Sequence, residues 1–294
     1  MKKSIFLTLF TLLLSTGSLS VLAQDIKCGA TDYVCQRKVV LAQMAVNPKD
    51  VENYYEMGRL YQLSGNDKEA VEMFTMYITV GVSNQRHMAD GYNSRGVSQK
   101  RLGNFELAIK DYTSAIGLAP TDASLYVNRA NAYRDMKNYT QAIAEYTRAA
   151  EVDGKHAPAY VGRGHVYMMQ KDLVRALADF TKSIEIDPKE GEGYYNRGTV
   201  YFQQTEYAKA LPDFDKYISL GTAAPASLAD GYQNRGICHL ATGAPQKAID
   251  DMNKVLSIDP NRGSVYRVRA MAYKQLNQPD LAAADERKAA EMGN

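Results

Sequence analysis

The residues best suited to covalent or metal chemistry in this 294-residue chain are three cysteines and four histidines. Cys28 and Cys35 stand close together near the start, Cys238 is followed directly by His239, and His165 sits just before Met168 and Met169. A zinc site needs four Cys, His or carboxylate ligands in paired spacing. No His lies near Cys28 and Cys35 to complete such a set, so no metal is expected. An oxidising compartment would let the two close into a disulfide that holds the N-terminal segment onto the first helix; two unpaired thiols is the other reading. Consecutive residues on a helix do not face one another, so Cys238 and His239 lack the geometry of a thiol–imidazole dyad, and a buried, inert thiol is expected. HExxH, GxSxG and the phosphate-cradling glycine loop are all missing from the sequence. Neither a catalytic residue nor a cofactor is expected, and the chain reads as a binder rather than an enzyme.

Charge narrows the partner. Lys plus Arg is 35 against 33 for Asp plus Glu, and two of those lysines, Lys2 and Lys3, fall in an N-terminal segment built like a secretory leader. That segment has a charged start, an apolar run from Ile5 to Leu14 and small residues up to Ala23. Cleavage is expected before Gln24, which assigns residues 1–23 to the leader and leaves a neutral mature chain without the basic footprint of a nucleic-acid binder. The apolar run is too short to span a bilayer, which takes about 20 residues, and no later stretch is apolar enough. An exported protein, periplasmic or secreted, with no transmembrane segment in its mature part is the expectation.

The chain has no Trp but 21 Tyr, and the tyrosines recur in a fixed phrase. Tyr-x-x-Arg-Gly/Ala begins at Tyr92, Tyr126, Tyr160, Tyr194, Tyr232 and Tyr266, and a seventh copy at Tyr54 carries Met57 in place of Arg. The small residues closing the phrase are Gly58, Gly96, Ala130, Gly164, Gly198, Gly236 and Ala270, spaced by 38, 34, 34, 34, 38 and 34. Twelve residues after each comes an alanine: Ala70, Ala108, Ala142, Ala176, Ala210, Ala248 and Ala282. Glycine inside a helix costs about 1 kcal/mol relative to alanine. Five of them therefore need a steric reason, and close approach of a second helix, met by the small alanine, supplies it. Breaker residues such as Gly65-Asn66 and Gly103-Asn104 fall between the two, so each repeat reads as helix, short turn, antiparallel helix.

The pattern resembles the tetratricopeptide repeat. In the repeat starting near 157 the family positions are Tyr160, Gly164, Tyr167, Ala176, Phe180, Ser183 and Pro188. The resemblance implies an all-α, right-handed solenoid over residues 51–294, with repeats starting near 51, 89, 123, 157, 191, 229 and 263, a continuous core and no separate domains. Residues 24–50 then form an N-terminal cap, with one helix over 31–46. The extra four residues in 81–88 and 221–228 amount to one helical turn, so the helices after them are expected to start a turn early. Residues 89–96 and 229–236 match at six of eight places, an offset of 140 that points to duplication of a four-repeat block.

The family lines its concave groove with certain positions of the first helix. Carried over, these give Arg101, Asn131 and Arg134, then His165, Met168, Met169, Tyr195, Phe202, Ile237 and Leu240, with Lys100, Arg267 and Lys274 adding charge. The surface so drawn is an apolar trough with basic ends, suited to a protein or peptide segment with apolar anchors and acidic flanks. A non-enzymatic interaction scaffold of the cell envelope follows, and a chaperone-like binder of extended or unfolded chains is the alternative.

Overall fold

The computed structural model describes residues 27–292 apart from Thr222; the expected leader and its cleavage site lie outside them. The described residues form fifteen helices and no strand. They are α1 (Tyr33–Val46), α2 (Glu52–Leu63), α3 (Asp67–Val80), α4 (Gln85–Arg101), α5 (Phe105–Leu118), α6 (Ala123–Asp135), α7 (Tyr139–Val152), α8 (Ala157–Met169), α9 (Leu173–Ile186), α10 (Gly191–Gln203), α11 (Tyr207–Leu220), α12 (Pro225–Ala241), α13 (Pro245–Ile258), α14 (Gly263–Gln275) and α15 (Pro279–Glu291). They group into two compact units, Met1–Asn138 and Tyr139–Asn294, the division falling at the turn inside the third repeat. The first unit holds α1 to α6 and the second α7 to α15. Within each, consecutive helices pack as neighbours, first helix against second and second against the next repeat's first.

Helix ends obey local chemistry. In every repeat the turn is closed by a residue with left-handed backbone: Gly65, Gly103 and Gly243 where glycine is present, and Lys137, Lys171, Thr205 and Asn277 where it is not. The following amide donates back to a carbonyl five residues earlier, as Asn66 N to Tyr61 O at 2.9 Å and Asp172 N to Tyr167 O at 2.9 Å, the Schellman arrangement. The two four-residue additions act as expected, because α4 and α12 are 17 residues long while α8, α10 and α14 are 13.

Packing corrects the steric argument for the small residues. A side chain at Gly58, Gly96 or Gly164 would strike the ring of Phe74, Tyr112 or Phe180 at 2.7–2.8 Å, not the alanine twelve positions on. The alanines look the other way. Ala108 clusters with Tyr112 and Ala132, Ala176 with Phe180 and Val200, and Ala210 with Phe214 and Cys238. Each is small because the first helix of the following repeat presses on it. Glycine thus admits the ring inside a repeat, and alanine admits the next repeat.

At the start, α1 lays Val40 against Met57, Leu60 and Met73. Cys28 and Cys35 are joined by a disulfide with Cα atoms 5.7 Å apart, which pins the segment before α1 onto its first turns. Asp32 caps that helix by accepting from Cys35 N at 2.9 Å.

Candidate functional site

The arginine of the repeated phrase is the residue whose role the sequence hid. Arg163 forks onto Asp179, Nε and Nη2 donating at 2.8 Å each, while Nη1 donates to Thr147 of the preceding repeat at 2.9 Å. Its guanidinium lies 5.5 Å from the centre of the Tyr160 ring. The same fork joins Arg95 to Asp111, Arg197 to Asp213, Arg235 to Asp251 and Arg269 to Asp285. The hydrogen bond to Asp179 holds Arg163 above its ordinary pKa against the opposing effect of burial. These arginines tie repeats together and are not open to a ligand. The signal was present in the sequence as an Arg-to-Asp spacing of sixteen repeated five times.

Several expected groove residues are absorbed by packing. Leu240 is a correction: it is buried with Ala248, Ile249 and Ala272, because α13 and α14 close over it. Phe202 is half-buried, its ring 5.6 Å from that of Tyr207 and nearly perpendicular to it. Met168 packs against the cluster of Tyr167 and Phe180. Met169 is 55% exposed, and Ile237 is half-buried on α12.

The basic ends are a second correction, since their charges are already met. In the first unit Arg101 lies 3.6 Å from Asp67, while Lys100 and Arg134 both reach Asp135, at 3.4 and 3.1 Å. Asn131, on the same helix as Arg134, is half-buried and engaged. In the second unit Lys274 is paired with Glu286.

What opens in the second unit is a cavity of about 480 Å3 lined by His165, Glu190, Glu192, Tyr195, Asn196 and Asp230 among others. His165 is half-buried, its ring set edge-on against Phe180 at 5.6 Å. Tyr195 leans on Tyr217 at 5.0 Å, and its hydroxyl accepts from Asn234 Nδ2 at 3.5 Å. Burial holds the Tyr195 hydroxyl above its usual pKa, and the charge of Asp230 adds to this. Three carboxylates, those of Glu190, Glu192 and Asp230, stand in the cavity wall.

Among the described residues no cysteine lines it. Cys238 is fully buried and burial pushes its thiol up to about 12, while burial lowers the His239 imidazole. A thiolate next to an imidazolium is therefore disfavoured from both sides.

Tetratricopeptide repeat models match residues 127–191, residues 229–262, and residues 89–122 with 191–220, together more than half of the chain. The chain belongs to the tetratricopeptide repeat family. Solved structures agree. YrrB, described as a tetratricopeptide repeat protein with an unusual peptide-binding site, is 25% identical over 62% of this chain and 91% of its own, with a TM-score of 0.56. A tetratricopeptide repeat protein from Parabacteroides merdae is 21% identical over 83% of this chain and 93% of its own, with a TM-score of 0.56. The MamA protein is 24% identical over 58% and 91%, with a TM-score of 0.53. No curated protein matches the chain. Membership of this repeat family accounts for the glycines, alanines and tyrosines.

Proposed function

We propose that the chain is a non-enzymatic adaptor of the cell envelope that holds a segment of a partner protein on the first-helix face of its second compact unit. The observation that carries the reading is the cavity there, where helices α8, α10 and α12 present His165, Tyr195 and Asp230 to solvent side by side. A repeat fold places such side chains on rigid helices with no chemistry of their own, and its relative YrrB bears a peptide-binding site in its description. Export is supported by the leader-like residues 1–23, and the Cys28–Cys35 disulfide suits an oxidising compartment.

Two measurements test it. Intact mass of the exported protein should lack residues 1–23; a retained Met1 removes the envelope assignment. Partner capture by the whole chain should be lost on Met169→Asp and His165→Ala, neither of which removes an Arg–Asp fork. Capture that survives both substitutions moves the working surface elsewhere.

A further inference from the structure

The offset of 140 lets the protein be compared with itself. Tyr55 in the first unit lies 5.6 Å from Phe74 and 5.2 Å from Tyr77; its counterpart Tyr195 lies 6.1 Å from Phe214 and 5.0 Å from Tyr217. The Tyr55 hydroxyl is 3.3 Å from Ser94, and Tyr195 meets the matching Asn234. Carboxylates correspond as well, Glu52 to Glu192 and Asp90 to Asp230. What meets them differs. Both aspartates have an arginine, Arg86 at 3.6 Å from Asp90 and Arg262 at 2.6 Å from Asp230. Glu52 has His87, whose Nδ1 is 3.7 Å away. The residue matching His87 is Ser227, and Glu192 has no ion pair among the described residues.

The second copy therefore leaves open what the first fills with its own basic side chain. A further group in that wall lacks a partner. Asn196 is 5% exposed, lines the cavity, and its Nδ2 has no hydrogen bond among the described residues. A buried donor without an acceptor is unfavourable, so its natural complement is a carbonyl brought in from outside.

We propose that this cavity receives an arginine side chain of an extended partner segment, with Glu192 accepting from the guanidinium and Asn196 Nδ2 donating to a main-chain carbonyl of the segment. The proposal rests on the second-unit surface being the binding face, and it names the chemistry of what binds. Arginine is favoured over lysine because its planar fork suits one carboxylate while its face stacks on a ring. The protein's own arginines do both at once: Arg197 forks onto Asp213 and lies 6.0 Å from the Tyr194 ring. Tyr195, half-buried in the same wall, offers such a ring beside Glu192.

Ligand-observed NMR with the whole chain tests this, using short end-capped Ala/Gly peptides with a central Arg, Lys or Glu at low salt. The Arg peptide should bind best. Its affinity should fall roughly fivefold on Glu192→Gln, the scale of one solvent-accessible ion pair, and also on Ser227→His, which rebuilds the closure of the first copy. Glu52→Gln should change nothing. Glu192 and Ser227 are both exposed, so the variants should melt with the parent. An Arg peptide that does not bind, that ignores both substitutions, or that is equalled by the Lys or Glu peptide overturns the proposal. Partner capture lost on Met169→Asp but kept on Glu192→Gln overturns the arginine pocket alone; capture kept on both overturns the binding surface as well.

Discussion

Removing the carboxylate of Asp179 should be among the most damaging single changes available to the second unit. Asp179 is buried, with its side chain 8% exposed, and takes two guanidinium hydrogen bonds at 2.8 Å. Asp179→Met would strand two donors and a positive charge whose own side chain is only 18% exposed. Breaking a buried pair from one side costs about 3–5 kcal/mol, whereas replacing both partners by apolar residues of similar volume is close to neutral. The first repeat has already made that replacement, for the places of Arg and Asp are held there by Met57 and Met73, which share one core cluster with Val40. Arg163→Met combined with Asp179→Met should therefore recover most of the loss, to within about 1–2 kcal/mol of the parent. Urea denaturation followed by circular dichroism gives the energies, and hydrogen exchange over α8 and α9 gives their location. A single variant losing less than about 1 kcal/mol, or a double variant as unstable as the single, would refute the role assigned to the fork.

Thr205 closes its turn with a φ of 59°, a conformation hard on a β-branched residue. Thr205→Gly should raise stability by about 1 kcal/mol in the same urea assay, and an unchanged or lower midpoint would deny strain at that turn. Gly162→Ala should destabilise although alanine is the better helix former, because its Cβ would lie 2.2 Å from the buried Tyr146 ring. A loss of about 1–3 kcal/mol is expected, and a gain would show that the ring yields. Cys238, with burial pushing its thiol up to about 12, should resist iodoacetamide at pH 8 until urea unfolds the chain, as mass spectrometry would record.

Repeat register, helix pairing and the early start of α4 and α12 were legible in the sequence, because each rests on a local signal repeated many times. Glycine, alanine and the breaker residues all act through short-range sterics. The site was less legible. Leu240, Phe202 and Met168 share one repeat position that the family pattern assigns to the groove, but here the start of the second helix or the following repeat covers it. Lys100, Arg101 and Lys274 looked free because their partners, such as Asp67 for Arg101, lie on a different helix. Glu192 and Asn196 stand out only when burial and missing hydrogen bonds are known, and those depend on three helices at once.

The tie between repeats also governs where this protein can change length. Arg163 and Arg197 reach back sixteen residues to Thr147 and Thr181, but Arg95 reaches twenty, to Thr75, and Arg235 twenty, to Asp215. The additional turn of α4 and α12 lies between the two anchors, and the tie is made across it in both copies. The segment around Gly81, where a built Cβ meets nothing within 4 Å, is thus a tolerant seam in an otherwise tightly indexed chain. A fluorophore-bearing or protease-cleavable insert placed there would report on the protein from inside its array, at a point between Thr75 and Arg95 rather than at either anchor.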